Sequence, residues 1–547
     1  MPGHDLQASA FPTLDEAQMN QLARVAQATL EHFEAGQALF QAGDRAFHFH
    51  VIVSGEVAMV DPAVEPPREV TVHRRGQFTG ELAELTGSPA PLSAVARTEV
   101  AAYSLCEAGL GEVVAGDPQL GDIILNALMA RRQLLRQCPD FGGLRVIGSR
   151  HSADTFRIRE FLARNLVLFS SVDLESAPDV QELLHRFGVT PADTPVVAGY
   201  RLLLRNPSDT ELAEALGIRR PIQRAVHDLV VVGCGPAGLA AAVYGASEGL
   251  DTLVLDRHGP GGQASGTMRI ENYLGFPVAV SGLELAERGV VQARKFGARL
   301  SVPHTVLGLS FENGYQRLHL DGEEVMTRCL VIATGNEYRR LVAEGCAPLE
   351  GRGVFYAATV VEANLCAGAD VVVVGAGNSA GQAAVFLAQR SRCVRMVVRG
   401  EDLGKSMSAY LAHRIQRTPN IEVLLNTTVV RILGNGELRA VEVQDNRTGE
   451  RRTLSASALF SFIGATPRTE WLPAEIERDD RQFVRTGPAL AGSPHWSGRR
   501  QPFLLETSRC GVFAAGDVRA GSVKRFASAV GEGAMAVQFV HEYLREM

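Results

Sequence analysis

Gly233, Gly235 and Gly238 fall on a GxGxxG spacing just after the apolar run Leu229 to Val232, in the stretch DLVVVGCGPAG. A side chain at the first glycine would block a tight turn, one at the second would keep the backbone off a pyrophosphate, and one at the third would hold a helix off its strand. The segment opened by Pro236 and Ala237 reads as that helix, with unsatisfied N–H groups and a positive dipole end facing phosphates. Asp256 closes the next apolar run, LVLD, about 20 residues on, where a carboxylate can accept from ribose hydroxyls. A second set follows: Val371 to Val374 lead into Gly375 and Gly377, with Asn378 and Ser379 at the helix start and Ala380 in the third glycine position. Two βαβ units in one chain imply two bound dinucleotides.

The second unit's second strand, VRMVV, ends at Arg399. A carboxylate there would select NAD, whereas Arg399, assisted by Lys405, pairs with a 2′-phosphate and favours NADPH. Glu401 and Asp402 between the two cations leave NADH open. Near the C-terminus GVFAAGDV ends in Gly516 and Asp517, and the run Lys524, Arg525, Phe526 opens a further helix. Asp517 can accept from a ribityl or phosphate-side hydroxyl or cap its helix, and the two roles coexist.

The elements that hold these residues are several domains' worth of chain. At 547 residues, 46% hydrophobic and 21% charged, the composition is that of a multidomain soluble globular protein. A net charge of −7 with no long basic run excludes nucleic acid as a main partner. Neither a secretory signal nor an uninterrupted apolar span is visible, so a cytoplasmic protein without a membrane span is expected. The eight cysteines are scattered singly with no CxxC, which fits a reducing compartment and gives neither a disulfide framework nor a metal site.

The first third reads as an amphipathic helix over Leu14 to Phe33, short alternating strands forming a β-barrel, and a helix from Leu120 to Gln137. Strand and helix then alternate from Leu144, as in a small α/β sandwich: LRVIGS, ADTFRIREFLARN, LVLFSSVDLE, DVQELLHRFGV, YRLLLRN and SDTELAEALGI. RRPIQRAVH at 219 to 227 reads as a linker.

GQALFQAGD, VIVSGEVAMVD and the Phe78, Gly80, Glu81, Leu82 motif resemble a cyclic-nucleotide-binding domain. The resemblance implies that Glu81, beside Gly80, accepts a ribose 2′-hydroxyl. The arginine that should neutralise the phosphate is Ala90 here, so the barrel is expected to have lost or altered its ligand, with a cyclic nucleotide or another small molecule as the candidates. The middle segment resembles the thioredoxin and glutaredoxin fold, which implies a cis Thr194–Pro195 bond. Ser152, Ala153, Asp154 and Thr155 occupy the place of that fold's CxxC, so dithiol chemistry cannot run there.

GCGPAG, GGQ, ENY, VIATG, GAGNSA, FIGATP and GVFAAGDV stand in the order of low-molecular-weight thioredoxin reductases, over about 226 to 547. Together the three resemblances imply four regions: a cyclic-nucleotide-binding-like domain at 1–138, a thioredoxin-like domain at 139–219, an FAD domain from 226–335 and 466–547, and an NAD(P)H domain at 336–465. FAD would contact Gly233, Gly235, Pro236, Ala237, Gly238, Asp256, Gly262, Gln263, Asn272, Thr334, Gly335, Gly516, Asp517, Lys524, Arg525 and Phe526. NADPH would contact Gly375, Gly377, Asn378, Ser379, Arg399 and Lys405, with Gly464 beside the nicotinamide. A homodimer is likewise implied. The departure is in the stretch Tyr356 to Val360, where Ala357 and Val360 stand in the places of the family's two cysteines.

The expectation is therefore an FAD-dependent NAD(P)H oxidoreductase that passes electrons to an acceptor other than an internal disulfide. No side chain need act as acid or base in the hydride step, so no catalytic residue is assigned. Two alternatives stand beside it: a thioredoxin reductase using Cys329, Cys346 or Cys366, and a non-catalytic nucleotide or redox sensor governed by the barrel. A single buried cysteine is more often a small hydrophobe than a redox group.

Overall fold

The computed structural model describes the 547-residue chain except residues 1–5, 46, 63–65, 82–88, 139–142, 176–183, 186, 200–201, 220–221, 223–225, 359, 406, 497 and 499. It divides into two compact units, Met1–Ser149 with Arg157–Ile222 and Val290–Pro303, and Arg150–Phe156 with Gln223–Gly289 and His304–Met547.

The first unit begins with two antiparallel sheets. One runs Thr29–Phe33, Val100–Leu105, Phe49–Ser54, Phe78–Thr79, and the other Ala38–Phe40, Ser93–Ala96, Val57–Asp61, Arg68–His73. The glycine turn at Gly55, φ +86°, carries the chain from one sheet to the other. Phe40, Ile52, Val57, Leu92 and Val100 close the core. The helix expected over Leu14 to Phe33 spans only Glu16–Val25, capped by the Asp15 side chain on the Gln18 N–H. Gln27 then turns at φ +48°, and Thr29–Phe33 pairs with Val100–Leu105, because a strand buries Phe33 against the barrel where a longer helix could not. Pro118–Gln137 is a helix, with Asp117 capping its first turn.

Four strands follow in the order Phe169–Asp173, Leu144–Gly148, Val196–Gly199, Leu202–Arg205; the first pair is parallel and the others antiparallel. Helix Ala153–Arg164 buries Ile158, Phe161 and Leu162 on this sheet. The Thr194–Pro195 peptide is cis. The helix expected around 179 to 189 lies mostly outside the described residues. So does much of the expected linker, but its last two residues, Val226 and His227, already belong to a strand.

In the second unit, Thr252–Leu255, Val226–Val232, Glu324–Ile332 and Val512–Ala514 lie side by side, all parallel. Leu229, Val230 and Val231 are fully buried, as expected of a strand covered on both faces. A second parallel sheet runs Val354–Phe355, Ala458–Ser461, Asp370–Val374, Cys393–Val397, Ile421–Leu424. Asn336–Tyr338 pairs antiparallel with Ala465–Pro467, so the chain leaves the first sheet and returns to it along paired strands. Among the described residues no helix is long and apolar enough to cross a membrane, and no cluster of side chains could hold a metal.

Candidate functional site

The first glycine turn is forced by close packing. Gly233 sits at φ +107°, and a Cβ at Gly238 would lie 1.8 Å from the Gly233 carbonyl oxygen. Helix Pro236–Ser247 starts on Gly235 with no side-chain cap, leaving its first N–H groups open to an anion. Asp256 faces this turn: Oδ2 accepts from the Cys234 N–H at 2.8 Å, and Oδ1 from the His258 and Gly259 N–H groups at 2.8 Å each. The carboxylate predicted for a ribose also ties the turn to the second strand.

A polar chain crosses the mouth of this sheet. Gln263, in the 3₁₀ turn Gly262–Gly266, donates to the Asn336 carbonyl at 2.5 Å, and the Asn336 amide donates to Asp517 at 3.0 Å. Burial raises the Asp517 pKa above the ordinary carboxylate value, against the pull of Lys524 and the Asn336 hydrogen bond. Thr334 donates to the Arg468 carbonyl at 2.9 Å, and Gly335 follows at φ +63°. Glu532, 7% exposed on the C-terminal helix Phe526–Glu546, accepts from the Gly516 N–H at 2.7 Å, from Arg519 and from the Ser522 hydroxyl. It fixes the turn that presents Asp517. Phe526 packs with Tyr273 and Phe276, while Asn272, Lys524 and Arg525 are exposed.

The second glycine turn repeats the device. Helix Asn378–Ala388 starts on Gly377, again without a side-chain cap, and no atom would meet a Cβ at Gly377 within 4 Å. The Asn378 side-chain oxygen accepts from the Ser408 N–H at 2.8 Å. Arg399 and Lys405 are exposed and, among the described residues, in no ion pair, so both cations are open to an anionic group. Gly464 lies at φ +103° at the start of the return strand, its carbonyl accepting from the Arg339 N–H.

Beside the helix that opens at the second turn lies a cleft lined by Thr267, Arg269, Tyr338, Ala357, Ser379, Gln382, Phe386 and Phe462 among others. Thr267 is bridged in parallel register to Ala358, so the loop leaving Gly262 and Gln263 runs beside the stretch that lacks cysteines. Thr359 is outside the described residues. Tyr356, before the two alanines, donates to Glu350 at 2.8 Å and accepts from the Leu341 N–H at 3.1 Å, a structural tether. Burial raises the Cys329 and Cys346 thiols and pushes Cys366 up to about 12, so none of them offers a thiolate at neutral pH.

In the barrel, Gly80 adopts φ +104° and Glu81 is 1% exposed. Its Oε1 accepts from Arg131 at 2.7 Å, while Glu81 Oε2 and Arg131 Nη2 are buried without a partner. Arg131 also donates to the Ala10 carbonyl at 2.6 Å and lies over the Phe11 and Phe78 rings. Ala90 is buried, with its backbone bonded to Gly43 and Asp44. Leu82 is outside the described residues.

Three residues of these sites escaped sequence reading. Asn336 and Glu532 sit in segments whose local pattern predicts only a strand end and a helix. Arg131 carried a faint signal, an arginine pair with Arg132 on a helix face otherwise rich in leucine.

Two stretches of the chain are similar to known proteins. Residues 227–533 match the family described as pyridine nucleotide-disulphide oxidoreductase, and residues 30–117 match the cyclic nucleotide-binding domain. The chain is 31% identical over 324 residues to a thioredoxin reductase of Ureaplasma parvum, covering 59% of this chain and 98% of that protein. It is 32% identical over 318 residues to one of Treponema pallidum, covering 58% and 97%. The crystal structure of Lactococcus lactis thioredoxin reductase superposes with a TM-score of 0.53 at 27% identity, covering 59% of this chain and all of that one.

Proposed function

Because the chain belongs to the pyridine nucleotide-disulphide oxidoreductase family and resembles thioredoxin reductases over nearly their whole length, it is an FAD-dependent NAD(P)H oxidoreductase, and we propose that its acceptor is not an internal dithiol. The observation that carries this reading is the pair of glycine turns, each opening an uncapped helix, in two separate parallel sheets. Both cradles fit a pyrophosphate, since the free N–H groups and the open face at Gly377 leave room and donors for one. When bound, FAD supplies the two-electron chemistry, accepting hydride from NADPH and yielding electrons to the acceptor.

The residues position rather than react. Gly233, Gly235 and Gly238 would let the backbone approach the FAD pyrophosphate, and Asp256, which holds that turn, would accept from the ribose. Asp517, aimed by Asn336 and Glu532, would hold the ribityl chain of FAD, and Thr334, Gly335, Gln263, Asn272, Lys524, Arg525 and Phe526 would complete its contacts. Gly375, Gly377, Asn378 and Ser379 would hold the NADPH pyrophosphate, Arg399 and Lys405 its 2′-phosphate, and Gly464 would complete the nucleotide site. The domains would run as 1–138, 139–219, 226–335 with 466–547, and 336–465.

Ala357 and Val360 take the places of the family's cysteines, and the raised thiol pKa values at Cys329, Cys346 and Cys366 speak against substitutes for them. The strand order from Leu144 to Arg205 supports a thioredoxin-like domain whose Ser152 to Thr155 carry no thiol. The barrel has lost or altered the ligand of its family, with Ala90 in the place of the phosphate-neutralising arginine and Glu81 paired with Arg131, and the enzyme works as a cytoplasmic homodimer. Anaerobic titration with NADPH and then NADH, following the flavin absorbance, tests the reading. Bleaching by NADPH at lower concentration than by NADH is expected, and a flavin that neither bleaches overturns it.

A further inference from the structure

The cleft beside Ala357 has a chemistry of its own. Three aromatic side chains, Tyr338, Phe386 and Phe462, border it, and Tyr338 and Phe462 meet edge to face with centroids 6.1 Å apart. Ser379, Gln382 and Phe386 share one face of helix Asn378–Ala388, and across from them stand Thr267 and the two alanines. Among the described residues the Ser379 hydroxyl and the Gln382 amide have no hydrogen-bond partner. The one charged lining residue, Arg269, donates to Glu271 at 2.7 Å, and Arg414 donates to the same carboxylate at 2.7 Å. Aromatic faces, neutral hydrogen-bond donors and no uncommitted charge suit a flat ring with carbonyl oxygens better than an anionic acceptor.

We infer that this cleft is the electron-acceptor site and that the acceptor is a small quinone, bound with its ring among Phe386, Phe462 and Tyr338 and its carbonyl oxygens on Gln382, Ser379 and Thr267. The inference rests on the flavoenzyme reading above. The wall Gly266 to Arg269 continues directly from Gly262 and Gln263, so a ring held here lies beside the loop assigned to FAD. Alanine at 357, in the place of one of the family's cysteines, leaves open the space that its thiol would fill. The balance is closed: NADPH, a proton from water and the quinone give NADP+ and the hydroquinone, two electrons and two protons having moved to the two carbonyl oxygens. Because Ser379 serves both ligands, NADPH and quinone exclude one another, and turnover follows a ping-pong pattern with each inhibiting at high concentration.

The test uses the FAD-loaded full-length protein and menadione. Calorimetric titration without NADPH is expected to give saturable one-to-one binding. Ala357→Trp, which fills the cleft, and Gln382→Leu, which removes a donor without filling it, each raise the dissociation constant tenfold or more. In anaerobic stopped flow the same variants slow re-oxidation by menadione to that extent while NADPH still bleaches the flavin within twofold of the parent rate. Absence of menadione binding to the parent protein, or equal binding by both variants, overturns the inference. So does binding that NADP+ leaves unchanged, since that places the quinone elsewhere. A flavin that NADPH does not bleach removes the flavoenzyme reading instead, and the calorimetry still decides the cleft.

Discussion

Asp256→Asn replaces one carboxylate oxygen by an amide nitrogen at a group that holds three backbone N–H donors. In the least costly orientation the remaining oxygen keeps His258 and Gly259, and the new NH2 faces the Cys234 N–H, donor against donor. The lost bond was to a charged acceptor, worth about 1.5–3 kcal/mol. The two that remain become neutral and lose roughly half their strength. Asp256 is only partly buried, which trims the total to about 3 kcal/mol. At about 2–4 °C per kcal/mol for a domain of this size, the apo protein should melt about 6–12 °C lower. Scanning calorimetry on apo protein measures this, and a shift under about 2 °C would show that the carboxylate does not hold the turn. FAD affinity, measured separately by flavin fluorescence, should fall at least a further tenfold, about 1.4 kcal/mol, for the lost ribose contact. An unchanged affinity in a destabilised variant would leave Asp256 as a structural tie only.

Three other outcomes follow from buried polar groups. Glu532→Gln weakens four hydrogen bonds around the Gly516 turn, and FAD affinity should drop roughly tenfold to a hundredfold, read by equilibrium dialysis against FAD; an unchanged affinity would separate Glu532 from Asp517. Glu81→Ala strands a buried guanidinium and should cost about 3–5 kcal/mol in urea unfolding, whereas Glu81→Leu with Arg131→Met should recover most of it; equal losses in the single and double variants would refute a coupled pair. In the barrel, burial lowers the His50 pKa to about 4 and that of His73 to about 3, with His48 and Arg131 respectively adding to the effect. Both are neutral in the fold, and the unfolded chain takes up protons below its ordinary value of 6.5, so stability present above pH 6.5 is lost as pH falls towards 4. For His50 alone that amounts to about 3 kcal/mol, and His50→Asn should flatten the decline in denaturation midpoints between pH 7 and 5; a profile of unchanged slope would count against it.

What the sequence shows and what it hides differ by the range of the interaction. The turn at Gly233 and the one at Gly375 are legible because every constraint on them is local: a β-branched strand before, small residues at fixed spacing, a helix after. The spacing of Asp256 was legible too, yet its direction was not, since only the fold shows its oxygens on the Cys234, His258 and Gly259 amides. Asn336 on Asp517 and Glu81 on Arg131 join segments whose meeting no periodicity announces. The overlong helix at Leu14 to Phe33 failed for the same reason. Its amphipathic spacing continues past Val25, but pairing with Val100–Leu105, a long-range contact, claims Thr29–Phe33 for the barrel.

The missing cysteines change what the rest of the architecture has to achieve. A dithiol relay lets a large disulfide substrate react at a distance from the flavin, because electrons leave on a thiolate. Burial raises the pKa of Cys329 and Cys366, which speaks against either as a substitute exit, and on the reading proposed above the acceptor itself comes to the ring. The quinone proposed above would enter between the Gly266 to Arg269 loop and the helix that starts at Gly377, and would vacate that space before Ser379 is again available to the nucleotide. The two half-reactions then compete for one wall of one cleft, so raising either substrate far above its KM should slow turnover. A sequential pattern, with NADPH and acceptor bound together, would require the acceptor to sit away from Ser379 and would move the exit for electrons to another face of the molecule.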